Sequence, residues 1–141
     1  MAVLKNSLKH LRYSPLFSSC SSKDLERIAK AGDRITLAKG ATLIKQGDPG
    51  KEAFIILGGK ATVKRGGKKV ATLGAGSVVG ELSLLDHGPR TATVTCDTEC
   101  QLLVISRGNF LRVTDKVPAL THKLLGSLSL RIRDLDRAYF G

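Results

Sequence analysis

The densest concentration of chemically useful residues lies in the run Gly74-Ala75-Gly76-Ser77-Val78-Val79-Gly80-Glu81-Leu82-Ser83-Leu84-Leu85-Asp86-His87-Gly88-Pro89-Arg90-Thr91-Ala92-Thr93. A glycine that enters a short helical turn lets the backbone approach a ligand closely, and the first N–H groups of that turn have no partner inside the helix. Such groups suit a phosphate, and Gly80 to Ser83 would supply them. Arg90, stiffened by Pro89, would bring a guanidinium fork to the same anion in a charge-assisted pair about twice as strong as a neutral one. Glu81 has two uses open to it: accepting from a ligand hydroxyl, or helping to hold the arginine. Each feature alone is bland, since an arginine in a turn is usually a solvated charge and glycines 74, 76, 80 and 88 could be turn residues only. Their joint spacing is what points to an anion site.

Other chemistries find little support. His10, His87 and His122 are far apart and lack metal-ligand spacing. Cys20, Cys96 and Cys100 are odd in number and form no C-x-x-C pair, so they read as buried or half-buried free thiols. No serine has a partner base in view, so the expectation is a protein that is not an enzyme and has neither metal nor cofactor. The aromatic residues Tyr13, Phe17, Phe54, Phe110, Tyr139 and Phe140 are too scattered to form a stacking platform for single strands. His87, inside the run, reads as a polar loop residue.

The elements that must position the run follow from periodicity. The chain has 141 residues, 42% of them hydrophobic and 25% charged, which suits one globular domain over 1–141. Val3, Leu4, Leu8 and Leu11 predict a first short helix closed by Pro15. Ser21 and Asp24 resemble a capping box for a second helix, striped by Leu25, Ile28 and Ala29 and ending near Gly32. Short strands are expected at 34–39, 42–45, 52–57, 60–65, 68–73, 91–95 and 101–105, in a block of about eight. Gly66-Gly67 marks a two-residue hairpin, because a primed turn needs positive φ at its centre. Ser106 could cap a helix over 109–114, and Pro118 suits the first turn of a long helix. On that helix Leu120, Leu124, Leu128, Ile132, Leu135 and Tyr139 share a face. Helices, strands and helices again predict an α+β domain.

The stretches Gly80-Glu81-Leu82-Ser83-Leu84-Leu85 and Pro89-Arg90-Thr91-Ala92-Thr93 resemble the phosphate-binding cassette of the cyclic nucleotide-binding domain family. That family occurs in catabolite-activator-type regulators, kinase regulatory subunits and gated channels. The resemblance extends upstream through Ile44-Lys45-Gln46-Gly47-Asp48-Pro49-Gly50 and through Phe54-Ile55-Ile56-Leu57-Gly58-Gly59-Lys60-Ala61-Thr62-Val63, similar to the family's second to fourth strands. It implies an eight-stranded antiparallel β-roll, a jelly-roll-like double-stranded β-helix, with N-terminal helices, a short cassette helix and C-terminal helices. It also implies a ligand, cAMP or cGMP. Backbone N–H groups around Gly80, Leu82 and Ser83 and the side chain of Arg90 would meet the phosphate, and Glu81 would accept from the ribose 2′-hydroxyl. Thr91 would place a hydroxyl near the phosphate or base, with Ala92 beside it. Val63, Val70, Leu73 and Val79 would wall the sugar and base. Thr91 occurs in family members of either preference, and the late Thr-Ser pair with which bacterial activators hold adenine is replaced by Leu135-Asp136, so the base is left open.

Lys and Arg number 23 against 12 acidic residues, a formal net charge of +11 that favours anionic partners. Two readings stand. One is a cytosolic sensor that binds cAMP or cGMP and signals occupancy to an effector through its C-terminal helix. The other is a non-enzymatic interaction protein of the same fold that binds nucleic acid or an acidic partner through Lys60, Lys64, Arg65, Lys68 and Lys69. The apolar stripe of the last helix could pack on the roll, pair with a second subunit in a homodimer, or close as a lid with Tyr139 or Phe140 capping the base. No apolar run approaches the roughly 18 residues of a membrane span. No helix-turn-helix follows the long helix, so direct DNA reading is not expected, and Met1 with its helix favours a complete, stand-alone chain.

Overall fold

The computed structural model describes residues 11–12 and 14–140, with all side chains among them except those of Leu82, Leu85, Asp86 and Phe140. The helix expected over Val3 to Leu11 lies mostly outside the described residues. The remaining order is α1 (Ser22–Lys30), β1 (Asp33–Leu37), β2 (Thr42–Ile44), β3 (Glu52–Gly58), β4 (Ala61–Arg65), β5 (Lys68–Leu73), β6 (Val78–Val79), α2 (Glu81–Asp86), β7 (Thr93–Cys96), β8 (Cys100–Ser106), α3 (Arg107–Lys116) and α4 (Pro118–Phe140). The strands form two four-stranded antiparallel sheets, ordered β1-β8-β3-β6 and β2-β7-β4-β5. This is the expected β-roll.

The unbroken apolar run of β3 is explained by two cores, one on each side of its sheet. Successive side chains of a strand point to opposite faces. Ala53, Ile55 and Leu57 therefore enter a cluster with Leu103 and Ile105 of β8, Phe17, Leu25, Ile28, and Phe110, Val113, Leu120 and Leu124 of the C-terminal helices. Phe54 and Ile56 face the other way, into the roll, with Ile44, Ala61, Val79, Val94 and Leu102. Each large side chain so buried stabilises the fold by about 1.5–3 kcal/mol, and Phe110 at 2% exposure is among them.

Local signals act where the sequence places them. Ser21 caps α1, its Oγ accepting from Asp24 N while Asp24 accepts from Ser21 N. Ser106 Oγ accepts from Asn109 N at the start of α3, which runs longer than the expected 109–114. Val117, outside helical geometry at φ −126° and ψ 75°, separates α3 from α4 because Pro118 restricts the residue before it. The β4–β5 hairpin turns on Gly66 and Gly67 at φ 59° and 80°. It carries a bulge: Val63 pairs with Ala71 but Lys64 with Lys69, so Val70 is the extra residue. The two-residue β6 was not singled out by pattern, since two valines carry no period. The strand expected at 91–95 begins only at Thr93, after Arg90 has paired its backbone with Asp48 and Gly47.

All three cysteines are free and buried. Burial raises the Cys20 thiol above its ordinary value, with Asp24 adding to it. Burial, then the neighbouring Cys100, then Asp97 push Cys96 up to about 11. The thiolate is the reactive form, so a thiol reagent at neutral pH should leave the folded chain unlabelled over the time that labels all three in denaturant; rapid native-state labelling would contradict this. The Cys96 shift from 9.0 to about 11 is an elevation of an acid in the folded state. Its stabilising contribution is therefore full below pH 9 and is lost as the pH rises toward 11.

Candidate functional site

The cassette is built around Gly80. Its φ of 84° lies in the left-handed region, and no side chain caps the six-residue helix that it opens. A Cβ at Gly80 would collide with Arg90 Nη1, so the closeness of the guanidinium to the backbone depends on glycine there.

Arg90 is only 6% exposed. Its Nη1 donates to Gly80 O at 2.9 Å and its Nη2 to Glu52 O at 2.7 Å. Burial pulls the guanidinium below its ordinary value, opposed by the carboxylates of Glu52 and Glu81. A buried cation held by neutral carbonyls is costly unless an anion joins it. Its main chain is anchored as well, with Arg90 N donating to Asp48 O at 2.8 Å and Gly47 N to Arg90 O at 2.9 Å.

Glu81 and Ser83 are also buried, at 5% and 2%. Glu81 Oε1 accepts from Arg131 Nη1 of α4 at 3.2 Å, which ties the cassette to the last helix. Arg131 itself is half-exposed, so the pair contributes modestly to stability. Ser83 O accepts from Arg107 Nη2 at 3.3 Å. Leu82 contributes its backbone to the same helix. Thr91 is exposed, and its carbonyl accepts from Arg65 Nε at 3.1 Å; Ala92 is buried at 4%. The hairpin tip closes on the cassette exit by two further bonds, Gly66 N to Gln46 Oε1 at 2.9 Å and Gln46 N to Thr93 Oγ1 at 3.0 Å.

Of the expected walls, Val79 is buried in the inner core, and Val63 and Leu73 pack against it half-buried. Val70 is not brought to them: the bulge leaves it 51% exposed on the edge strand. A cleft of about 310 Å³ beside Arg90 is lined by Ile44, Lys45, Asp48, Glu52 and Phe54 among others. Ile44 and Phe54 belong to the same inner cluster as Val79. Sequence reasoning missed Arg107, Arg131, Gln46 and the carbonyls of Gly50 and Glu52. Basic residues on a helix and main-chain acceptors carry no spacing signal that would have found them.

A β-roll that carries an inserted short helix beside a buried arginine is the architecture on which this site is built. The family model described as "Cyclic nucleotide-binding domain" matches residues 34–116. The chain belongs to the cyclic nucleotide-binding domain family. The catabolite activator protein of Thermus thermophilus superimposes with a TM-score of 0.81 at 30% identity, over 89% of this chain and 61% of that one. The regulatory domain of Toxoplasma gondii PKA, crystallised with cAMP, gives 0.66 at 32% identity, over 77% of this chain and 44% of that one. A cGMP-dependent protein kinase of Eimeria tenella is 33% identical over 132 residues, 93% of this chain but 13% of the kinase. The chain thus spans less than two thirds of the length of each of these relatives. Among the described residues no helix is long and apolar enough to cross a membrane, and no three His, Cys, Asp or Glu side chains cluster to hold a metal.

Proposed function

We propose that residues 1–141 form a non-catalytic sensor domain that binds cAMP or cGMP in the cassette and signals occupancy through α4, acting in the cytosol. The observation that carries this reading is Arg90: a buried guanidinium, fixed at both amino groups, beside an uncapped helical turn. Relatives of both kinds, one crystallised with cAMP and one named for cGMP, support the ligand class and leave the base open. The phosphate would lie against Arg90 and the N–H groups of Gly80, Leu82 and Ser83. The ribose would lie against Glu81, and the base near Val63, Leu73, Val79, Thr91 and Ala92. Titration of the purified chain with each nucleotide by calorimetry tests the reading. Micromolar binding, about −8 kcal/mol, supports it. No heat, and no shift of the amide resonances of residues 80–93 at millimolar excess, overturns it.

Signalling through the last helix follows from Glu81. A ribose hydroxyl would compete for the carboxylate that Arg131 now holds, so occupancy would reach α4 directly. Leu120 and Leu124 dock α4 on the outer core, whereas Leu130, Ile132, Leu135 and Tyr139 are exposed. That outer half is free to fold over the base or to pair with a second copy. Deleting the residues after Arg137, Tyr139 and Phe140 included, should weaken nucleotide binding severalfold; unchanged affinity would remove the lid.

A second reading is favoured by the hairpin. Lys64 faces Lys69 and Arg65 faces Lys68 across the strands, and like charges directly opposite each other are destabilising. A nucleic acid or an acidic protein would relieve them. Steeply salt-dependent binding of such a polyanion, undiminished in Arg90→Ala, would favour this role over nucleotide sensing.

A further inference from the structure

We infer that Arg107 is a positioning residue for the cassette, anchoring it to the leading end of β3 and coupling it to α3. Three consecutive carbonyls are involved. Gly50 O accepts from Arg107 Nη2 at 2.9 Å, Lys51 O from Arg107 N at 3.1 Å, and Glu52 O from Arg90 Nη2 at 2.7 Å. The far ends of the same two arginines hold the two sides of the cassette turn: Arg90 takes Gly80 O and Arg107 takes Ser83 O. The segment 50–52 is therefore a hub to which α2 is stapled twice. The contact is close, since a Cβ on Gly50 would collide with that of Ser83 and lie 3.1 Å from Arg90 Cζ.

The two staples differ in what can undo them. An anion at Arg90 would draw the guanidinium toward itself, so the Gly80 and Glu52 bonds are the ones that a ligand can loosen. Arg107 meets Ser83 rather than Gly80, so it keeps Ser83 at the hub while Arg90 engages the anion. Among the described residues its buried Nε has no hydrogen-bond partner, a cost that the bonds of its Nη2 and backbone N–H must offset. Arg107 is also the first residue of α3, so any displacement of Ser83 is passed to that helix. The inference rests on the sensor reading for its ligand, but its first test does not need one.

The test compares Arg107→Ala and Arg107→Lys with Arg112→Ala, an exposed neighbour whose guanidinium bonds only to Asn109 Oδ1 among the described contacts. In nucleotide-free protein, amide hydrogen exchange over Glu81–Asp86 should quicken about tenfold or more in Arg107→Ala relative to β3 amides. Arg107→Lys, which keeps charge but not the fork, should show a smaller rise and serves if the alanine variant does not fold. The nucleotide Kd should rise about tenfold in Arg107→Ala and stay at the wild-type value in Arg112→Ala. Exchange that is unchanged in the cassette, or that rises equally in β3 and β8, overturns the inference. Faster cassette exchange in a chain whose wild type binds neither nucleotide supports the anchoring role and removes the sensor reading alone.

Discussion

Arg90→Ala should abolish measurable nucleotide binding while leaving a folded protein. Hydrogen bonds to a charged partner contribute about 1.5–3 kcal/mol each, and the fork of Arg90 can give two to a phosphate. Their loss corresponds to a Kd raised by roughly a hundredfold to ten-thousandfold. The free protein should lose stability as well, because Gly80 O and Glu52 O, both now held by Arg90, would be left to find water. That cost is about 1–3 kcal/mol for each carbonyl left unpaired, and the adjacent cleft, which Glu52 lines, lets water reach it. Calorimetry at millimolar nucleotide beside a thermal melt separates the two effects. Arg90→Lys, with the charge but not the planar fork, should bind with intermediate affinity. An affinity unchanged within threefold in Arg90→Ala would place the anion elsewhere.

Gly50→Ala should be the most damaging single methyl group in the site. The added carbon would collide with Ser83 Cβ, sit 2.7 Å from Ser83 Oγ and press on Arg90 Cζ at 3.1 Å. Ser83 is 2% exposed and cannot swing into solvent without moving α2. Overpacking of this kind costs about 3 kcal/mol, a fall in Tm on the order of 10 °C for a domain of this size. The cassette would be displaced from both arginines, so nucleotide affinity should fall with it. By contrast, Gly66→Ala adds a methyl group that meets no atom within 4 Å and strains only the turn. A Gly50→Ala protein with wild-type melting temperature and affinity would mean that the cassette does not rest on the 50–52 segment.

Much of this architecture could be read from residue order, for identifiable reasons. Ser21 and Ser106 act through bonds to residues three positions away, and Pro118 acts on the residue before it, so their effect is local and legible. The run Ala53–Leu57 was legible as part of a strand, but that both of its faces are covered, and by which cores, was not. The expected cassette residues converge in part: Gly80 and Arg90 are bonded to each other, while Glu81 and Ser83 of the same turn are held by Arg131 and Arg107. Val70 was misplaced for a definite cause. Simple alternation puts Lys68, Val70 and Thr72 on one face, but the bulge inserts Val70 as an extra residue and breaks the two-residue period there. Arg107 and Arg131 were illegible because their partners are a main-chain carbonyl and a carboxylate brought close only by the tertiary fold, 24 and 50 residues away in sequence.

The outer rim of the second sheet sets how copies of this protein can meet. β5 ends that sheet, its backbone polar groups open on one side, yet it is kinked at Val70 and lined by Lys68 and Lys69. Lysine and a kink are two of the devices that keep an open strand from templating another. Crowded molecules are therefore repelled from joining sheet to sheet into fibrils along this rim, and whatever pairing occurs is steered to other surfaces.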